Sequence, residues 1–144
     1  MKPNLLLIGS VSDIMMARFT EQFTVHPLPL VADQMQEFLD TTGPSVVAVA
    51  TNGHHGMPTE IMSGLPNLRI ISSYGVGYDS IDADAAAARG IVVTHTPNVL
   101  NDEVANTAIL LWLAVSRNLV ANDTYIRAGR WVSEGSPPLS RSVQ

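Results

Sequence analysis

The sequence predicts an α/β protein: a flavodoxin-like, doubly wound, five-stranded parallel sheet, followed by a long helix and an arm. Three observations carry that expectation. Short apolar runs alternate with segments of helical pattern through the first two-thirds of the chain, as repeated βαβ units require. The run Val46 to Thr51, VVAVAT, is β-branched and apolar on both faces, the pattern of a strand inside a parallel sheet. The composition is 46% hydrophobic and only 15% charged over 144 residues, enough apolar material for one real core and too little charge for a disordered tail.

Asn4 to Gly9 (NLLLIG) reads as the first strand and Asp13 to Phe23 as a helix capped by Ser12 or Asp13. Thr24 to Pro29 is a short second strand whose prolines place it near an edge. A helix from Ala32 to Leu39 ends near Gly43-Pro44, ahead of the Val46 to Thr51 strand. Pro58 opens a short helix with Thr59 and Glu60 in its first turn. Leu68 to Ser73 is the fourth strand, Ile81 to Arg89 an alanine-rich helix stopped by Gly90, and Ile91 to His95 the fifth strand.

Asn101 reads as the N-cap of a long helix reaching Arg117, with Asp102 and Glu103 at the positive end of its dipole. A second helical piece runs from Ala121 to Gly129, and the Ser-, Gly- and Pro-rich tail from Val132 to Gln144 reads as a linker or arm. Residues 1–98 are thus expected to form one domain and 99–144 the helices and arm.

Charge and cysteine usage exclude several classes. A net charge of −5 argues against nucleic acid and against anionic membrane surfaces as partners. The absence of cysteine excludes disulfides and thiol catalysis and fits a reducing, cytoplasmic setting. No signal peptide is visible, and the longest apolar run, Ala108 to Val115, is too short to span a bilayer.

Parallel sheets bind ligands at the carboxyl ends of their strands, here Gly9-Ser10, Thr51 to Gly56, Tyr74 to Asp79 and His95 to Asn98. The third of these, SSYGVGYDSIDAD, has the look of a dinucleotide turn. That fingerprint needs a third glycine, where Ser80 stands, and an acid at the end of the following strand, where His95-Thr96 stand. The turn also follows the fourth strand and not the first, so it is not a nucleotide site. Two readings remain: a tight turn in which glycine supplies positive φ, or an anion site in which the Val76 and Gly77 amides point into a cleft beside a helix N-terminus.

The stretch NLRIISSYGVGYDSIDADAAAARGIVVTHTPNVL resembles the D-isomer-specific 2-hydroxyacid dehydrogenases, most closely their glyoxylate/hydroxypyruvate reductase branch. The likeness continues through NDEVANTAILLWLAVSR and IRAGRW, covering about half the chain, and is looser over the first 50 residues. The resemblance implies that the Val76 and Gly77 amides hold a substrate carboxylate and that Asn52 and Gly53 border the substrate. It implies that Val104, at the start of the long helix, faces the nicotinamide end of NAD or NADP. Asn106 departs from it, standing where many relatives carry an acid.

In the family the chain continues into a dinucleotide-binding domain that supplies the catalytic arginine, glutamate and histidine. The expectation for these 144 residues is therefore the substrate-binding half of an NAD(P)-dependent reductase of small 2-oxo acids, with no catalytic residue and no bound cofactor of its own. The alternative is a non-catalytic flavodoxin-like module that binds or senses a small carboxylate. A phosphoreceiver fails, since Gly9-Ser10, Thr51-Asn52 and His95-Thr96 stand where its acids and lysine belong.

The adjacent His54 and His55 cannot easily aim at one metal and read as a solvated loop. Asp79, Asp82 and Asp84 read as caps and first-turn charges of a helix. Residues 108–115 have no polar side, and a helix apolar all round is normally buried, so a homodimer through residues 101–132 is expected.

Overall fold

The computed structural model describes residues 1–142; the last two positions of the expected arm lie outside the described residues. In chain order the elements are β1 (Asn4–Leu7), α1 (Asp13–Gln22), β2 (Thr24–Pro27), α2 (Ala32–Thr41), a 3-10 turn (Gly43–Ser45), β3 (Val46–Asn52), α3 (Thr59–Ser63), β4 (Ile70–Tyr74), α4 (Ala83–Ala88) and β5 (Val92–Thr94). Then follow α5 (Asn101–Ser116), α6 (Leu119–Arg127) and α7 (Arg130–Glu134). The chain divides into two compact units, Met1–Val99 and Leu100–Gln144.

The first unit carries a five-stranded sheet in the order β2-β1-β3-β4-β5, parallel throughout. This is the flavodoxin-like arrangement, and β2 is the edge strand its prolines called for. On one face Leu6, Val46, Val49 and Ile71 pack with Met57, Ile61, Met62, Leu65, Ile81, Ala86 and Ile91. On the other, Leu5, Leu7, Ala48 and Ala50 pack against Met16, Phe19 and Phe23 around α1. Each fully buried side chain of this kind contributes about 1.5–3 kcal/mol. The alternation Ile70, Ser72, Tyr74 exposed against Ile71 and Ser73 buried leaves one face of β4 open.

Local chemistry sets the ends of the elements. Ser12 Oγ accepts the Met15 N–H at the start of α1. Asp82 Oδ1 accepts the Ala85 N–H, so α4 begins at Ala83, and Ile81 instead pairs with Met57 in an isolated parallel bridge. The fourth strand starts at Ile70 and not Leu68, and it runs on through Tyr74.

The second unit differs more from expectation. Asn101 is the first residue of α5 and not its cap; Leu100 is the cap and offers no side-chain acceptor. Asn118, at φ 52°, turns the chain in the left-handed region, and α6 starts at Leu119. Where a linker or arm was expected from Val132, the helix Arg130–Glu134 continues to Glu134. Its i,i+4 pair accounts for that: Arg130 Nε and Nη2 donate to both Glu134 carboxylate oxygens at 2.9 and 2.7 Å. The Arg130 guanidinium also lies 4.6 Å over the Tyr125 ring, whose hydroxyl donates to the Gly135 carbonyl.

No residue of α5 is buried, and Val104, Leu110, Leu111, Trp112 and Val115 are all exposed. Among the described residues no single helix is long and apolar enough to cross a membrane. α5 and α6 reach that length and composition only as a pair, bent by 58°.

Candidate functional site

The loops that leave β3 and β4 at their carboxyl ends lie against each other. Asn52 closes β3, and its Oδ1 accepts three hydrogen bonds: the His54 N–H at 3.1 Å, the His55 N–H at 2.9 Å and His55 Nδ1–H at 2.9 Å. The amide is thereby held in one orientation, and its Nδ2 makes no hydrogen bond among the described residues. Ser80 ties the loops together: its Oγ donates to the Gly53 carbonyl at 2.9 Å and its own carbonyl accepts the Met57 N–H at 3.0 Å.

The glycines of these loops are needed for closeness more than for φ. A Cβ on Gly53 would stand 2.9 Å from the Gly77 carbonyl oxygen, and one on Gly75 would stand 3.2 Å from the Gly53 nitrogen. Neither Gly75 nor Gly77 has positive φ, contrary to the tight-turn expectation. Positive φ falls instead on Gly56, at +62°, where a Cβ would also run into the Ser80 carbonyl, and on Gly9, at +89°, against which the His55 ring packs.

Around Val76 the backbone is gripped from one side. The Gly75 carbonyl accepts the Thr96 N–H at 2.9 Å, and the Val76 carbonyl accepts His95 Nδ1–H at 2.8 Å. No peptide bond is cis. In a trans peptide the N–H points opposite to its C=O, so the N–H groups of Val76 and Gly77 both point away from the 95–96 segment. Neither makes a hydrogen bond among the described residues. Two adjacent donors without partners on the same side of the turn suit an acceptor group with two oxygens, such as a carboxylate.

No helix N-terminus supports these amides, because α4 begins only at Ala83. Asp79 works against an anion: its Oδ2 lies 3.3 Å from where a Cβ on Gly77 would be. The two amides therefore have no helix dipole behind them and a carboxylate side chain close by.

Thus Asn52, Gly53, Val76 and Gly77 lie together on two touching loops. Val104 belongs to the second unit, on α5, and is 62% exposed. His95 and Tyr78, whose rings lie 4.8 Å apart, were not singled out from the sequence. The only signal was that His95 stands at the carboxyl end of a strand. A groove of about 270 Å³ opens beside Asn52 at the β1–β3 switch point, lined by Ser10, Ser12, Thr51 and Tyr74 among others. His54 and His55 are exposed with their rings edge to face, and no group of three His, Cys, Asp or Glu side chains able to hold a metal occurs among the described residues.

The family model for the D-isomer specific 2-hydroxyacid dehydrogenase catalytic domain matches residues 5–136. A 2-ketogluconate reductase of Gluconobacter oxydans is 42% identical over 142 residues, covering 99% of this chain and 44% of its own. A glyoxylate reductase of Pyrococcus horikoshii is 33% identical over 135 residues, covering 94% of this chain and 40% of its own. The crystal structure of a 2-hydroxyacid dehydrogenase from Ketogulonicigenium vulgare superposes with a TM-score of 0.83 at 39% identity, over 99% of this chain and 44% of that one. An NADPH-dependent glyoxylate/hydroxypyruvate reductase from Sinorhizobium meliloti, in complex with NADP and malonate, gives 0.77 at 38% identity, over 100% and 44%. The chain spans less than half the length of each of these relatives. It belongs to the D-isomer specific 2-hydroxyacid dehydrogenase family, and its residues correspond to that family's catalytic domain.

Proposed function

We propose that the Val76 and Gly77 amides bind the carboxylate of a small 2-oxo or 2-hydroxy acid. In this reading the chain is the substrate-binding part of an NAD(P)-dependent reductase of glyoxylate- or hydroxypyruvate-type acids. The observation that carries the reading is the pair of unpartnered amides left when Thr96 N–H and His95 Nδ1–H, just beyond β5, pin the Gly75 and Val76 carbonyls from the opposite side. Gly53 walls the turn closely, and Asn52 Nδ2 is a donor held ready beside it. These groups orient the acid and leave its 2-carbon, beyond the carboxylate, free to react.

The residues described do not form a dinucleotide cradle. Ser80 stands in place of the third glycine, and its hydroxyl and carbonyl are both engaged with the neighbouring loop. Cofactor chemistry is accordingly assigned to the whole protein, and none of its steps is assigned to this turn. Val104, on the exposed first turns of α5, is where this reading puts the approach of the nicotinamide end. The exposed apolar surface of α5 supports a homodimer through residues 101–132, and the absence of cysteine supports a cytoplasmic setting.

Titration of the 15N-labelled chain with sodium glyoxylate tests the site. The Val76 and Gly77 amide signals are expected to move progressively and saturate in the millimolar range. Shifts confined to other regions, with Tyr74 to Asp79 unmoved, would refute the reading.

A further inference from the structure

We infer that His95 is a positioning residue for the carboxylate site: its imidazole sets the peptide plane that presents the Gly77 N–H. The inference rests on the carboxylate reading above and adds to it the side chain responsible for the geometry.

The Val76 carbonyl and the Gly77 nitrogen belong to one planar peptide unit. Fixing the carbonyl therefore fixes the direction of the N–H. His95 does this with a hydrogen bond of 2.8 Å. A carbonyl oxygen can only accept, so Nδ1 carries the proton, and in the neutral ring Nε2 is the bare nitrogen. The ring is itself held, half-buried and tilted by 58° against Tyr78 at 4.8 Å between centroids.

A glycine on each side of Val76 leaves this turn little steric resistance to rotation of the peptide. Without a partner on the carbonyl, the unit would sample orientations in which the Gly77 N–H faces away from the acid. The neighbouring grip is different in kind. The Gly75 carbonyl is held by the backbone N–H of Thr96, which any residue but proline would supply. Only the bond to Val76 depends on which side chain stands at the end of β5. It needs a donor two bonds beyond Cβ, which histidine Nδ1 provides and which asparagine Nδ2 would also provide. His95 touches neither acid nor reacting atoms in this arrangement and acts entirely through the peptide.

The test compares the wild-type chain with His95→Phe and His95→Asn by 15N NMR titration with sodium glyoxylate. Phenylalanine keeps an aromatic ring on Tyr78 and removes the donor; asparagine keeps the donor and removes the ring. Unmoved Leu6, Val49 and Ile71 amide signals establish that a variant is folded. The phenylalanine variant is expected to bind glyoxylate about five- to tenfold more weakly, as the loss of one hydrogen bond implies. The Gly77 signal should shift before any ligand is added, and the asparagine variant should return to within about twofold of wild type. A folded phenylalanine variant with wild-type affinity overturns the inference and leaves the carboxylate site standing. Asparagine as weak as phenylalanine also overturns it, because packing and not the donor would then be what matters. If phenylalanine does not fold, His95→Leu takes its place as the variant without the donor and is read by the same two outcomes. Should the wild-type Val76 and Gly77 amides not respond to glyoxylate at all, the carboxylate reading fails and the inference fails with it.

Discussion

Adding one methyl group at three glycines of the two loops should produce three very different costs. At Gly53 the new Cβ would stand 2.9 Å from the Gly77 carbonyl oxygen and 3.7 Å from its carbon. The obstacle is backbone, so the loops must part by roughly half an ångström to reach ordinary contact. Such overpacking costs about 1–3 kcal/mol. Alanine returns about 0.4–1 kcal/mol by restricting the unfolded chain, so Gly53→Ala should destabilise the first unit by about 1–2 kcal/mol.

At Gly56 the φ of +62° adds a left-handed penalty of about 1–2 kcal/mol, and the Cβ would also run into the Ser80 carbonyl. Gly56→Ala should therefore cost about 3 kcal/mol or more. At Gly77 the φ is not left-handed, and the Cβ meets only Asp79 Oδ2 at 3.3 Å, the end of a side chain that can swing away. Gly77→Ala should be neutral or stabilising by up to about 0.5 kcal/mol.

Tryptophan fluorescence is the wrong assay, because Trp112 and Trp131 both lie in the second unit. Hydrogen exchange of the Val49 and Ile71 amides, both in buried strands, reads the first unit directly. The expected order of loss is Gly56, then Gly53, then Gly77. If Gly77→Ala proved the costliest, or if Gly53→Ala cost less than about 0.5 kcal/mol, the close approach of the two loops would be wrong.

Two further outcomes concern the second unit. Burying Ile109, Leu110 and Leu113 is worth about 5–8 kcal/mol against roughly 4–15 kcal/mol lost on association, so the homodimer needs the added area of Tyr125, Ile126 and Trp131. Light scattering on a size-exclusion column should show a dimer at tens of micromolar that Leu110→Lys with Leu113→Glu converts to monomer; a monodisperse wild-type monomer would refute it. The hydrogen bond from Arg130 holds the Glu134 carboxyl below its ordinary range. A folded pKa below the unfolded one gives support that is present above the unfolded value and lost as pH falls through the folded value. Trp131 emission should therefore change on acidification below the usual carboxylate range, and Glu134→Gln, already lacking the pair, should show no such step.

The order and type of the elements in residues 1–98 were legible because local and global demands agree there. VVAVAT must be a covered strand, the prolines around Pro27 must lie at an edge, and Gly90 must end a helix. The family was legible for a different reason: GVGYDSID, ARGI and TPNVL stand together in one stretch of the chain, which is more specific than any short glycine motif. The arm was read less well. Its helix at Arg130–Glu134 depends on a salt bridge and a stacked tyrosine, which a composition rich in Ser, Gly and Pro conceals.

What only the tertiary structure decided is the reason for the glycines of the two site loops and the direction of the amides between them. The sequence alone suggested positive φ at Gly75 or Gly77, but that conformation falls on Gly9 and Gly56, and Gly53 and Gly75 are small because one loop's backbone presses on the other's. Likewise, nothing local ties His95 to Val76, nineteen positions apart in the chain. A peptide's orientation depends on what accepts and donates on its two sides. In this chain those partners come from the segments that follow two separate strands, so the geometry exists only once β4 and β5 lie side by side.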